Sequence, residues 1–255
     1  MNILVSNDDG INAIGIKKLV EALSKVSNVY VSAPHTQRSA NSHAITLEQM
    51  VSVKNVDFSF AEEALEVSGT PADCVKMGLQ LFRERGIIMD MVFSGINLGS
   101  NLGRDTLYSG TVGAAMEASL SGVKAVAVSV DSHKATHFDA ACQLAVDVIP
   151  MVKKDIEVDT VININVPNLP KEEIKGVKFT ALGDRYYSDR FHLIEESDGI
   201  KKYKLAGEPA DFSNAPQCFD VTAAHYNYAS ITPLHYDLTS YRIVDEVKKW
   251  NIEIK

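Results

Sequence analysis

The chain has 255 residues, 45% hydrophobic and 23% charged, enough to enclose a core as one large α/β domain or one domain with an appendage. Its formal net charge of −8 opposes broad attraction to nucleic-acid backbone or anionic membrane, so a small phosphorylated ligand needs local counter-charge, most simply a metal ion. Cys74, Cys142 and Cys218 lie far apart, without CxxC spacing or a neighbouring histidine cluster, which argues against a disulfide framework or zinc site and for a reducing cytoplasm.

Residues 2 to 6 form a short, nearly continuous apolar run, the pattern of a central parallel strand buried on both faces. Acids follow at once and no basic region precedes it, so it does not read as a signal peptide, and no other segment approaches the length of a membrane-spanning helix. Ile16, Leu19, Val20 and Leu23 then recur at helical spacing, and Val29 to Ala33 reads as a second strand, completing a βαβ opening. Leu65 to Val67 predicts a further strand. In the Gly-Thr-Pro-Ala-Asp that follows, Thr70 suits an N-cap, Pro71 the first helical residue and Asp73 the acid of a capping box. Met91 to Ser94 is strand-like, Thr111 to Leu120 helical and Ala125 to Val130 strand-like. A long helix follows, with Ala141, Leu144, Ala145, Val148 and Val152 on one face.

Val161 to Val166 alternates isoleucine with asparagine and stops at Pro167, as the last strand of the main sheet would. From about Lys175 to Tyr228 the chain is richer in Tyr, Phe, Asp and Lys and reads as hairpins outside the sheet. Ser230-Ile-Thr-Pro returns it to the core, and Ile243, Val244, Val247 and Trp250 predict a terminal helix with an apolar stripe. The expected organisation is one domain over 1–255: a core of about 1–175 with a strand return near 228–233, a protruding hairpin arm over 176–227 and a terminal helix over 239–255.

In open α/β sheets ligands bind at the carboxyl ends of parallel strands, where Asn7-Asp8-Asp9-Gly10 lies. Adjacent carboxylates held together either raise one pKa or recruit a cation, and Mg²⁺ and Mn²⁺ favour oxygen ligands. The same residues are good turn composition, so the pair alone is ambiguous. On the loop Pro34 to Thr46, Arg38 is a candidate phosphate clamp and the Ser39 hydroxyl a candidate metal ligand or phosphate donor, whereas His43 reads as a structural histidine. The segment from Ser94 to Arg104 places three glycines and two asparagines between strand and helix, and the Asn97 carboxamide oxygen suits a hard-oxygen shell. Ser109 or Thr111 caps the next helix, whose free N–H groups and dipole make an anion site, although an ordinary capped helix fits these residues nearly as well in isolation. A cation site and an anion site on one rim together favour phosphate chemistry. No G-x-G-x-x-G follows the first strand and no G-x-x-x-x-G-K-[ST] loop occurs, so nicotinamide and P-loop readings drop out.

At these residues the chain resembles the SurE survival-protein family, the stationary-phase 5′- and 3′-nucleotidases. The matching stretches are residues 6–10, Arg38-Ser39, Gly69-Thr-Pro-Ala-Asp-Cys-Val, Ser94-Gly-Ile-Asn-Leu-Gly-Ser-Asn, Tyr108-Ser-Gly-Thr-Val, Asn163-Ile-Asn-Val-Pro and Ser230-Ile-Thr-Pro-Leu-His, in family order across nearly the whole chain. The resemblance implies a Rossmann-like, mostly parallel sheet with helices on both faces. It further implies one divalent metal ion per subunit, Mg²⁺ or Mn²⁺, held by Asp8, Asp9, Ser39 and Asn97, with Ser109, Gly110 and Thr111 on the phosphate and Asn101 in the same pocket. It also implies homodimers or homotetramers that exchange C-terminal elements. Three positions depart from the family pattern: Ile14 stands for a common proline, and Ala40 and Ala118 for usual glycines.

The expected reaction is hydrolysis of a nucleoside monophosphate by water that the ion activates, with Asp8 and Asp9 as the catalytic carboxylates and Asp9 the favoured proton acceptor. The rival is a nucleotide-binding or phosphate-responsive module without turnover. A receiver-type module needs a phosphoacceptor aspartate after a middle strand and a lysine after a later one, where this chain has Gly95-Ile-Asn and Asp131-Ser-His. Tyr108 and Tyr186 are candidates to stack on the base.

Overall fold

The structure, a computed structural model, describes residues 1–185, 190–207, 216, 218–250 and 252; Tyr186 lies outside them. In chain order the elements are β1 (Asn2–Ser6), α1 (Ile14–Leu23), β2 (Asn28–Pro34), β3 (Val53–Val56), β4 (Glu63–Val67), α2 (Pro71–Glu84), β5 (Met91–Leu98), α3 (Gly110–Leu120) and β6 (Lys124–Asp131). There follow α4 (Asp139–Asp147), α5 (Ile149–Asp155), β7 (Thr160–Pro167), β8 (Val177–Phe179), β9 (Arg190–Ser197), β10 (Ile200–Ala206), α6 (Asp220–His225), β11 (Ala229–His235) and α7 (Tyr241–Val247).

Nine strands form one sheet in the order β3-β4-β2-β1-β5-β6-β7-β11-β8, parallel from β4 to β7 and antiparallel where β3 meets β4 and β11 meets β7. The alternation of side chains along β1 explains why helices cover both faces. Ile3 and Val5 join the core that includes residues of α1, α4 and α5, whereas Leu4 joins the core that includes residues of α2 and α3. The chain runs outward from β1 through β2 to β4, then returns to pair β5 against the other side of β1. The β1/β5 boundary is therefore the topological switch point, where an open sheet leaves a crevice at its carboxyl edge.

The α2 capping box forms as its sequence predicts. Asp73 N–H donates to Thr70 Oγ1 at 3.1 Å and Thr70 N–H to Asp73 Oδ2 at 2.9 Å. Four expectations need correcting. The long helix after β6 breaks at Val148 into α4 and α5, because Pro150 has no N–H to continue the ladder and occupies the first turn of a new helix. Next, β7 is not the last strand, since β11 pairs antiparallel to it and β8 parallel to β11. Within the stretch read as lying outside the sheet, only β9 and β10 pair solely with each other, as an antiparallel hairpin. Finally, the terminal helix read over 239–255 runs only from Tyr241 to Val247, with Lys248 as its C-cap and Trp250 outside it.

Helix α1 starts at Ile14 without a side-chain cap, from an Ala13 held in extended conformation at φ −63° and ψ 148°. That conformation is the one a following proline prefers, and the first helical N–H has no partner within the helix. Ile14→Pro is expected to stabilise the fold by about 0.4–1 kcal/mol, read as a rise of about 1–4 °C in thermal unfolding; a fall in Tm would show that the Ile14 side chain contributes more than its half-exposed position suggests.

Candidate active site

Four segments meet at the switch point. Strand β1 delivers Asp8 and Asp9; β5 delivers Asn97; the loop after β2 brings Gln37 and Ser39; and the start of α3 supplies Ser109 to Thr111. A crevice of about 420 Å³ opens there, lined among others by Asp8, Ser39, Asn97, Asn101, Ser109 and His133.

Asp8 is 3% exposed and takes a hydrogen bond from the Thr111 hydroxyl at 2.5 Å. Burial pushes its carboxyl up to about 6, with the charge of Asp9 adding to the rise and the Thr111 hydroxyl opposing it. Asp9 is also raised, chiefly by burial, against a hydrogen bond from Leu98 N–H at 3.0 Å, a longer one from the Gln37 amide and the charge of His133. Neither aspartate forms an ion pair with lysine or arginine among the described residues.

The amide nitrogen of Asn97 donates to Gly99 carbonyl at 2.7 Å, which leaves its carboxamide oxygen as the uncommitted atom. Gln37 Nε2 reaches both Ser39 Oγ at 2.9 Å and Asp9 Oδ1 at 3.4 Å, coupling the loop to the carboxylates. The donor set is thus two carboxylates, Asp8 buried and Asp9 half-buried, a carboxamide oxygen and a hydroxyl, the hard oxygens that Mg²⁺ or Mn²⁺ prefers. The residues present fit such an ion.

At the start of α3, Ser109 is the N-cap, its Oγ accepting Val112 N–H at 3.1 Å. Thr111 is committed to Asp8 by its hydroxyl, and its backbone also lowers the Asp8 carboxyl. Gly110 has no room for a side chain, since a Cβ there would lie 2.9 Å from the Asp8 Cβ and 3.0 Å from its Oδ2. The helix start is therefore pressed against the carboxylate, which leaves Gly110 N–H and the Ser109 hydroxyl proton as its anion donors.

Asn101 is held by a buried polar frame. Its N–H donates to Asn165 Oδ1 at 2.7 Å, its amide to Ser129 Oγ at 2.8 Å, and its carbonyl accepts from Asn163 and Asn165. The isoleucine–asparagine alternation of β7 exists for this, with isoleucines in the core and asparagines bracing the β5–α3 loop. Arg38 points elsewhere. Its guanidinium donates to Ser68 carbonyl at 3.0 Å and does not line the crevice, while its backbone N–H donates to Asp8 carbonyl at 2.7 Å. His43 contacts the buried Glu117 at 2.8 Å, alongside Lys76 at 2.7 Å, in a structural ion cluster. Gln37 and His133 are site residues that the sequence alone leaves unassigned; His133 follows β6 on the same rim, and strand-end position was the available signal.

These features define an α/β protein with an oxygen-rich, anion-receptive crevice at the switch point of a mostly parallel sheet. A family model described as "Survival protein SurE" matches residues 3–189. A Clostridium botulinum (strain 657 / Type Ba4) protein named 5′-nucleotidase SurE is 43% identical over 98% of both chains. One of the same name from Pelotomaculum thermopropionicum is 42% identical over 98% of this chain and 95% of its own. The crystal structure of the SurE protein from Aquifex aeolicus superposes with a TM-score of 0.84 at 36% identity, covering 97% of this chain and 98% of that one. The chain belongs to the SurE family.

The raised Asp8 carboxyl carries a stability consequence. Its folded value, about 6, lies above the ordinary 3.8, so the metal-free protein loses stability as pH rises through that interval, by about 3 kcal/mol from this group. Saturating Mn²⁺ or Mg²⁺ is expected to raise Tm by about 5–10 °C at pH 7.5 and by much less at pH 5, where the ion must displace the Asp8 proton. Asp8→Asn should raise the metal-free Tm at pH 7.5 and abolish the metal response; a response preserved in that variant would remove Asp8 from the ion site.

Proposed function

We propose that the protein is a divalent-metal-dependent phosphatase that hydrolyses nucleoside 5′-monophosphates, and 3′-monophosphates as second substrates, to nucleoside and phosphate. The observation that carries this is the convergence of Asp8, Ser39, Asn97 and the α3 N-cap Ser109 in one crevice, with Asp9 hydrogen-bonded to Leu98 of its wall. The relatives named 5′-nucleotidase SurE, matched over nearly their full length, support the same reaction.

Asp8, Asp9, Ser39 and Asn97 would hold one Mg²⁺ or Mn²⁺ per subunit. When bound, that ion supplies a Lewis acid for a phosphoryl oxygen and lowers the pKa of water. Ser109 and the Gly110 N–H hold the phosphate against the helix dipole and take the charge that builds on its oxygens. Thr111 acts through Asp8, fixing the orientation of that carboxylate. Asp9, positioned by Leu98 N–H, accepts the proton of the attacking water, and Asn101 closes the pocket on its braced loop. Arg38 contributes through its backbone hydrogen bond, which holds Ser39 beside Asp8.

The three thiols are free, and among the described residues no helix is long and apolar enough to cross a membrane, in keeping with a cytoplasmic enzyme. The hairpin exposes Phe191, Leu193, Ile200 and Tyr203, and α7 exposes Ile243 and Val247, apolar surface that suits exchange between copies in a homodimer or homotetramer.

Phosphate release from nucleoside monophosphates is expected with Mg²⁺ or Mn²⁺ and to be lost on chelation, and Asp9→Asn should lower kcat by about 10²-fold or more. Tight nucleotide binding without phosphate release would instead favour a binding module, and activity at wild-type level in both chelator and Asp9→Asn would end the metal-site reading.

A further inference from the structure

Hydrolysis of a nucleoside monophosphate needs a proton for the departing ribose oxygen, because a nucleoside alkoxide is a strong base and a poor leaving group. In that reading Asp8, Asp9, Ser39 and Asn97 would hold the ion, and Asp9 takes a proton on the water side, so none of the four is left to supply one to the leaving oxygen. Resting on the phosphatase reading above, we infer that His133 is a further catalytic residue, the general acid that protonates the leaving oxygen.

The ring is seated in the crevice that Asp8, Ser39, Asn97 and Ser109 also line. Its Nδ1 lies 3.1 Å from the Leu98 carbonyl oxygen. A carbonyl only accepts, so Nδ1 carries the hydrogen of that bond and Nε2 is the nitrogen that gains and loses a proton. Nε2 has no hydrogen-bond partner among the described residues. Leu98 also donates its N–H to Asp9 Oδ2 at 3.0 Å, so one residue of β5 orients both the acceptor and the donor of protons. The ring packs against Gly99, whose missing Cβ position lies 2.7 Å from His133 Cε1 and 2.9 Å from Nδ1, and whose φ of +117° favours glycine.

The step balances. The water oxygen forms a bond to phosphorus, and the bond from phosphorus to the nucleoside oxygen breaks with its electron pair staying on that oxygen. His133 Nε2 gives that oxygen its proton, Asp9 takes one from the water, and the two residues return to their starting states by exchange with solvent. The net reaction adds one water to the ester and yields nucleoside and phosphate.

The test compares two leaving groups on the full chain with Mg²⁺: adenosine 5′-monophosphate, whose alkoxide needs protonation, and 4-nitrophenyl phosphate, whose phenolate departs without it. His133→Ala is expected to lower kcat on the nucleotide by about 10²–10⁴-fold and on the aryl ester by less than about tenfold, with the Mg²⁺-induced rise in Tm retained. His133→Asn, whose amide nitrogen stands where Nδ1 did and can still donate to the Leu98 carbonyl but cannot act as an acid, should show the same split. Equal losses on both esters, or nucleotide turnover near wild type in either variant, would overturn the assignment. A wild-type protein that hydrolyses neither ester with Mg²⁺ would instead overturn the phosphatase reading on which it rests.

Discussion

The site depends on one unfavourable act, the removal of two adjacent carboxylates from water at the end of the central strand. Asp8 is almost wholly enclosed and Asp9 half-buried, and burial raises both carboxyls despite the donors around them. A fold would relieve that most simply by moving the acids to the surface or pairing each with lysine or arginine. This one does neither. It surrounds them with Thr111, Leu98 N–H and Gln37, neutral donors that orient the oxygens without neutralising them. Neutral donors fix geometry and preserve negative potential, the condition under which a dication binds well and an arginine would compete with it.

Much of the surrounding polar structure follows from this choice. Helix α3 can aim its positive end at Asp8 only because Gly110 lets the helix touch the carboxylate. The β5–α3 loop must be stiff to carry Asn101, and two asparagines of β7 supply the stiffness from inside the protein. Both amide nitrogens and the Asn165 Oδ1 are spent on the loop, whereas Asn163 Oδ1 is buried without a partner among the described residues. The parallel sheet brings these parts to one edge, and its switch point parts the connections so that a crevice remains between them.

The features legible in the sequence were those encoded locally. The apolar runs of β1 and β5, the Thr70 to Asp73 capping box and the cap at Ser109 each carry their signal within a few residues, and the strand-end rule then gathers Asp8, Asp9 and Asn97 onto one edge. Tertiary partners were not legible. Arg38 is as good a phosphate ligand as any by composition, and only the fold turns its guanidinium to the Ser68 carbonyl. Thr111 looks like a phosphate donor until Asp8 is seen to hold its hydroxyl. The return of β11 beside β7 and the addition of β8 beyond it are long-range pairings, for which a local apolar pattern specifies a strand but no neighbour.

The loop that carries Ser39 shows how the chain keeps its geometry where it departs from the family pattern. Ala40 sits at φ 57° and Ser42 at φ 53°, left-handed conformations in which a side chain costs about 1–2 kcal/mol. At position 40 that is the physical reason for the usual glycine. The strain persists here because the loop is fixed on both sides of it. Arg38 N–H is bound to Asp8 carbonyl, Ser42 N–H to Tyr108 carbonyl, His43 to the buried Glu117, and Thr46 to Asp73. A free loop would relax Ala40 into an ordinary conformation and swing Ser39 out of place. Held between these anchors, the loop instead trades a little stability for a hydroxyl fixed beside two carboxylates, and it does so with fewer alternative conformations than glycine would allow.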